Sequence, residues 1–288
     1  MKKNKKQRPA VSVPKSIRFV VWLSQRISNA LATKVALYLF FRPQRFKTPV
    51  REHQMRDAAE QIKFYASSIQ KEIQVYRLNG KKQKVLLLHG WSGRGTQLFS
   101  FADELQKQNC EVITFDMPAH GQSPGKKTNV LELTYCIQDI NQKFGPFDAA
   151  IAHSMGGFAL LRAIKDGLPL QSAAIIGSGD SIKGVFYRFS QQLHFSEKIT
   201  ERMITTVEKQ FGTKLETYSS SMSIKEIDIP LLIVHDKDDK EAPYECSITL
   251  HDLARNSQLK LTSGLGHHRI LRDSKTVQHI IQFLFQQS

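Results

Sequence analysis

Ile151-Ala152-His153-Ser154-Met155-Gly156-Gly157 is the stretch whose reading decides the fold. An apolar β-type run, Phe147-Asp148-Ala149-Ala150-Ile151, leads into the serine, and a helix-like segment follows it. A sharp strand-to-helix turn forces its central residue into a strained backbone conformation and crowds its neighbours, so the positions two before and two after must carry almost no side chain. Ala152 and Gly156 meet that requirement. Such a turn lifts the serine oxygen clear of the sheet, and the next backbone N–H, from Met155, points with the helix N-terminus at developing negative charge. Taken alone the run is weak, because Gly, Ala and Ser also serve packing turns; its meaning depends on the segments around it.

Those segments have a consistent shape. Lys84-Val85-Leu86-Leu87-Leu88 reads as a fully buried strand ending in the turn His89-Gly90-Trp91, with Gly93 and Gly95 ahead of a helical stretch. The Trp91 N–H is placed to be a second donor to an oxyanion. Glu111-Val112-Ile113-Thr114-Phe115-Asp116 is another strand and runs into Met117-Pro118-Ala119-His120-Gly121-Gln122-Ser123. Pro230 to Asp236 is a strand that continues into Lys237-Asp238-Asp239-Lys240-Glu241-Ala242-Pro243, and Leu259 to Thr262 leads to Gly264-Leu265-Gly266-His267. Buried strands alternating with amphipathic helices from about residue 73 predict an α/β fold with a mostly parallel sheet covered by helices on both faces. Asn79-Gly80 is a hairpin signal and predicts antiparallel pairing of the strands on either side of it.

In the order of these motifs, over roughly residues 73 to 285, the chain resembles the α/β-hydrolase superfamily in its serine esterase and lipase-like branch. It departs from the family at Ala152, where glycine is more usual. The resemblance implies Ser154 as nucleophile, His267 as general base and then acid, Asp239 as the residue that orients His267, and the backbone N–H groups of Trp91 and Met155 as the oxyanion hole. The chemistry has its own need for such a set: a serine hydroxyl near neutral pH requires a base within hydrogen-bond reach, and a carboxylate on the other ring nitrogen fixes the tautomer. The chain order Ser, Asp, His is that of this fold. His268 is the adjacent rival to His267. Asp239 is preferred because it stands four residues before Pro243, as in the family's D-x-x-x-P arrangement; Asp236 is the alternative acid, and Asp180 a more distant one. His89 and His120 are read as shaping turns, His153 as supporting the elbow, and Asp116 as accepting backbone N–H bonds in the loop that follows it.

The net charge of +15 is local: residues 1 to 56 hold 14 Lys and Arg against one acid, Glu52, and carry +13, whereas the other 232 residues hold 27 basic and 25 acidic groups and carry +2. A nearly neutral body removes the main support for nucleic-acid binding. The domain reading is a basic N-terminal segment, 1–56, and a hydrolase domain, 57–288, with a helical cap inserted at 181–226. The lysine-rich stretch Met1 to Lys15 is expected to be disordered. Ile17 to Phe41 is apolar but interrupted by Arg18, Arg26 and Lys34, so it falls short of the roughly 18 to 20 apolar residues of a spanning helix. On a helical wheel Phe19, Leu23, Ile27, Ala30, Leu31, Tyr38 and Phe41 gather on one side. Such a helix either packs on its own protein or another subunit, or makes a peripheral contact through residues 1–41 with an anionic membrane surface.

Cys110, Cys136 and Cys246 are odd in number and widely spaced, which favours a reducing compartment without a disulfide framework. No P-loop, dinucleotide fingerprint or H-E-x-x-H motif occurs, so neither cofactor nor metal is expected. The expectation is a cytoplasmic serine hydrolase acting on a small-molecule ester, or a thioester or amide, through an acyl-enzyme, with attachment at the inner membrane face left open. The other readings are an inactive scaffold on the same fold, and a C–C bond hydrolase or cofactor-free perhydrolase.

Overall fold

The continuous apolar runs become the inner strands of one eight-stranded sheet. The computed structural model describes residues 13–286, so most of the lysine-rich stretch expected to be disordered lies outside the described residues. In chain order the strands are β1 (Glu60–Ala66), β2 (Lys71–Leu78), β3 (Lys84–Leu88), β4 (Glu111–Asp116), β5 (Ala149–His153), β6 (Ser172–Ile176), β7 (Leu231–Asp236) and β8 (Ser257–Thr262). They lie side by side as β1-β2-β4-β3-β5-β6-β7-β8. β2 runs antiparallel to β1 and to β4, and all the other neighbours are parallel.

Both faces of the inner strands are buried, which is why those strands read as largely apolar runs. Successive residues go to opposite cores. Leu86 and Leu88 of β3, with Ala150 and Ala152 of β5, pack with Leu133, Ile137 and Ile140 of the helix Val130–Phe144 and with Ala159 and Ala163 of the helix Met155–Lys165. Val85 and Leu87, with Ala149 and Ile151, pack with Phe101 and Leu105 of the helix Phe99–Lys107 and with Val277, Ile280 and Leu284 of the helix Ser274–Phe285.

Two sequence expectations are corrected here. β2 and β3 do not form a hairpin across Asn79-Gly80, because β4 lies between them. The glycine serves a close approach instead: a Cβ on Gly80 would stand 2.2 Å from the carbonyl carbon of Cys110. The helix expected over residues 17–41 is two helices, Lys15–Ile27 and Asn29–Phe40, broken where Ser28 is extended (φ −167°, ψ 153°). The Ser28 hydroxyl accepts the Leu31 N–H at 3.1 Å and so starts the second helix, as a serine at an N-cap does.

The chain divides into two compact units, one containing Phe41–Gly184 and Thr213–Ser288, the other containing Val185–Gly212 and the residues up to Phe40. The larger unit holds the sheet. In the smaller unit Phe40 stacks on Phe186 at 4.1 Å between ring centroids and meets Phe189 edge-on at 5.1 Å. The Gln25 side chain donates to the His194 carbonyl at 3.1 Å and accepts the Ser196 N–H at 2.9 Å, joining the first helix to the link between the helices Ile182–Leu193 and Glu197–Phe211. Residues 213–226, read from sequence as part of one cap insertion, group with the sheet.

Glu52, the one acid of the basic N-terminal stretch, is buried in the larger unit. Its carboxylate takes a two-pronged contact from Arg94, with Nε–Oε2 at 2.6 Å and Nη2–Oε1 at 2.9 Å, and a third bond from Thr96 at 2.9 Å. This ties residues 50–58 to the loop after β3. Removing one partner of a buried pair leaves the other charge uncompensated. Glu52→Gln is therefore expected to lower the unfolding free energy by about 3 kcal/mol, read from urea denaturation curves.

Candidate active site

The turn after β5 has the geometry its small residues imply. Ser154 sits at φ 53°, ψ −118°, at the N-terminus of the helix Met155–Lys165. A side chain there is strained by about 1–3 kcal/mol, and the surroundings have to hold it in place. They do so by contact. A Cβ on Gly156 would lie 2.6 Å from the His89 carbonyl oxygen, and one on Gly90 would lie 2.8 Å from the Ser154 Cβ. The turns after β3 and β5 thus touch through glycines, bringing the backbone before Trp91 against the serine. Ala152 is fully buried and paired in register with Leu88 and Ile175.

His267 lies at the start of a short helix, Gly266–Arg269, and its Nδ1 is 2.6 Å from Asp239 Oδ2. Asp239 Oδ1 accepts the N–H groups of Glu241 at 2.7 Å and Ala242 at 3.0 Å, and His235 Nε2 approaches Oδ2 at 3.2 Å. Burial acts to raise the Asp239 pKa. Hydrogen bonds from His235 and His267, the charge of His267 and the Ala242 N–H more than offset it and hold the carboxyl well below the usual carboxylate range. His235 is itself held, its Nδ1 2.6 Å from the Ser247 hydroxyl. Gly177 (φ +60°), at the end of β6, leaves room for the pair: a Cβ there would be 3.3 Å from His267 Nδ1 and 3.5 Å from Asp239 Oδ2.

The rival residues are placed elsewhere. His268 is more than half exposed and puts its Nε2 3.0 Å from Glu241 Oε1 instead of facing Asp239. Asp236 accepts from the Gly266 and Leu265 N–H groups at 2.8 and 3.1 Å, from Thr262 Oγ1 at 2.7 Å and from the Asp238 N–H at 3.0 Å. Its carboxylate is therefore used to shape the loop that delivers His267. Of Asp180, the backbone carbonyl accepts the Ser221 N–H. Asp116 accepts the Gly95 and Gln122 N–H groups, each at 2.7 Å, and the Tyr76 hydroxyl at 3.0 Å.

Three histidines are buried around the serine turn. His89 Nε2 accepts the Met117 N–H at 3.0 Å, so its proton is on Nδ1 and goes to the Gly90 carbonyl at 2.7 Å. His120 Nδ1 bonds the Pro118 carbonyl at 3.0 Å, and its Nε2 has no partner. His153 Nε2 donates to the His267 carbonyl at 3.0 Å with the two rings 4.5 Å apart, linking the residue before Ser154 directly to the histidine loop. Burial lowers the pKa of all three, to about 4 in His120 and well below the ordinary value in His89 and His153.

Sequence reasoning passed over Glu241. Its half-exposed carboxylate lies 3.7 Å from His267 Nε2 as well as 3.0 Å from His268. Partial burial acts to raise its pKa, but the His268 hydrogen bond and the charges of His267 and His268 hold it below the usual range. Its position in the loop after β7, two residues from Asp239, was the only signal available. Among the described residues no group of three His, Cys, Asp or Glu is arranged to hold a metal ion.

A mostly parallel sheet with helices on both faces and a serine turn after its fifth strand defines the class, an α/β-hydrolase. The chain belongs within it to the family described as "Serine aminopeptidase, S33", whose sequence pattern matches residues 79–222. No curated protein matches the chain. Solved structures share the fold: an esterase of Pyrococcus furiosus at TM-score 0.65 and 16% identity, covering 85% of this chain and 96% of its own. A bromoperoxidase of Bacillus anthracis follows at TM-score 0.60 and 17% identity, covering 79% and 99%, and a membrane phospholipase A at 0.63 and 15%, covering 94% and 98%. At these identities the likeness is one of fold.

The buried neutral histidines give stability a pH dependence of definite sign. Their folded-state pKa values lie below the unfolded value of about 6.5, so below that pH the unfolded chain binds more protons and stability falls as pH falls. For His120 the window runs from about 6.5 down to about 4. Asp239, also lowered, acts in the same direction in more acid solution. Urea unfolding measured across this range should show the loss, and His120→Gln should flatten the slope by about 1.4 kcal/mol per pH unit.

Proposed function

We propose that the chain is a serine hydrolase that cleaves a carboxylic ester through an acyl-enzyme on Ser154. The observation that carries the reading is the buried His267–Asp239 contact at 2.6 Å, tied to the serine turn by the His153 bond to the His267 carbonyl. Asp239 keeps the His267 proton on Nδ1, which leaves Nε2 free to act as a base. Nε2 takes the Ser154 proton as the oxygen attacks the ester carbonyl. The Met155 and Trp91 N–H groups stabilise the oxyanion, the first helped by the helix N-terminus behind it. Protonated His267 then gives its proton to the leaving alcohol. Water, deprotonated by His267, attacks the acyl group and regenerates the serine. An esterase and a phospholipase A among the structures of this fold agree with that reaction class.

A fluorophosphonate probe tests the nucleophile. Wild type should label and Ser154→Ala should not; absence of labelling, or labelling that survives the substitution, removes the enzyme assignment and favours a scaffold. Asp239→Asn should reduce kcat on p-nitrophenyl esters by about 10³- to 10⁴-fold with little change in KM, because it stabilises the wrong tautomer of His267.

One observation favours an amide as a second reading. The Glu241 carboxylate lies 3.7 Å from His267 Nε2 and would pair with a cationic group on a substrate, such as the free amine of an aminoacyl compound; the family's description names an aminopeptidase. Glu241→Gln would then raise KM for aminoacyl p-nitroanilides about tenfold while leaving KM for uncharged esters unchanged. Equal effects on the two substrates would reject the amide reading.

A further inference from the structure

The first two helices carry apolar surface that stands exposed among the described residues. Along Lys15–Ile27, Phe19 and Ile27 are 60% and 62% exposed, Trp22 is 51% exposed, and Val20 and Leu23 are exposed beside them. Leu31 and Tyr38 of Asn29–Phe40 continue the exposure into the second helix. The opposite side is occupied: Val21 and Ser24 of the first helix and Ala32, Thr33 and Ala36 of the second are buried. Between the two helices runs a groove of about 440 Å³ with almost wholly apolar walls, formed by Ile17, Val20, Val35 and Leu39 together with Lys34 and Tyr38. Among the described residues the surface therefore remains open although the helices already have a packed face.

The charge around this surface has one sign. Lys15, Arg18, Arg26 and Lys34 stand exposed on the two helices, and the sequence holds no acid before Glu52. Arg26 lies over the Trp22 ring at 5.2 Å, so this cation stays beside an exposed aromatic. A monomeric soluble surface seldom shows so large an apolar patch. A second copy of the chain is a poor cover for it, since a twofold interface would set the same cations against each other. An anionic bilayer matches both properties at once, with headgroups opposite the arginines and lysines and acyl chains beneath the apolar side chains. Trp22 has the amphipathic ring that sits at the headgroup level. No helix of the described residues is long and apolar enough to cross a membrane, so the contact lies in the plane of the interface.

We propose that the helices Lys15–Ile27 and Asn29–Phe40 form an interfacial anchor that lays Phe19, Trp22, Leu23 and Ile27 into an anionic lipid surface and takes a lipid acyl chain into the groove between them. The anchor is independent of the chemistry at Ser154. Phe19→Ser/Ile27→Ser removes apolar contact and Arg18→Gln/Arg26→Gln removes charge, both at exposed positions. Circular dichroism of each variant checks that it remains folded. The full-length protein should co-sediment with vesicles of phosphatidylcholine containing phosphatidylglycerol, bind pure phosphatidylcholine weakly, and be partly released by high salt. Each double variant should lower the partition coefficient by about tenfold or more. Ser154→Ala should bind as wild type does, which separates this test from that of the proposed hydrolase. Equal binding to both vesicle types, no binding, or variants that bind as wild type would overturn the proposal. So would a concentration-dependent dimer in sedimentation equilibrium that either variant dissolves, which would assign the face to a second copy of the chain.

Discussion

Everything at the candidate site depends on how closely two turns approach at the carboxyl ends of β3 and β5. These strands are hydrogen-bonded neighbours, with Leu88 opposite Ala152, and neighbouring strands lie only about 4.8 Å apart. The chain leaving each must turn within that spacing. Gly156 resolves the conflict on one side by bringing its Cα against the His89 carbonyl, and Gly90 resolves it on the other by lying against Ser154. The unusual backbone angles of Ser154 follow from that confinement, and so does the placement of the following helix with its N-terminus beside the serine.

The part of this arrangement that was legible in sequence is the part that burial on two faces writes plainly. β3, β4, β5 and β7 are continuous apolar runs because helices cover both sides of them. β1 escaped notice because its stretch Glu60-Gln61-Ile62-Lys63-Phe64 is largely exposed and sits at the sheet edge, where polar residues cost little. Asn79-Gly80 misled because a glycine needed for tight packing against Cys110 has the same letter as one needed for a hairpin turn. The break at Ser28 involves neither proline nor glycine, and its only trace was a residue suited to an N-cap.

At the site itself, the family resemblance implied the pairing of Asp239 with His267, and the structure brings those two side chains together while committing Asp236 to the loop. Their supports were not legible. His235, Gly177 and the His153 link join residues far apart in the chain, and only the folded sheet makes them neighbours. Glu52 is similar: in sequence it is a stray acid among cations, and in the fold it is the buried partner of Arg94. The basic segment therefore has two parts with different physics, one locked to the sheet domain by an ion pair and one whose described helices expose large apolar side chains under a single sign of charge.

The strand register has a consequence for how readily this scaffold can change. Residues 177–230 lie between β6 and β7, yet those strands pair directly, Ala173 with Leu231 through Ile176 with Val234. Closing a loop becomes costlier only logarithmically with its length, about 0.6 kcal/mol for each doubling. Within that segment Val185–Gly212, which groups apart from the sheet, can thus be lengthened, shortened or exchanged at small cost to the sheet. Asp239 and His267 come from beyond that excursion and Ser154 from before it, so the strand ends that carry them are set by strand pairing and not by the inserted helices. New helical material can be tried at this point in the chain while the strands on either side stay in register.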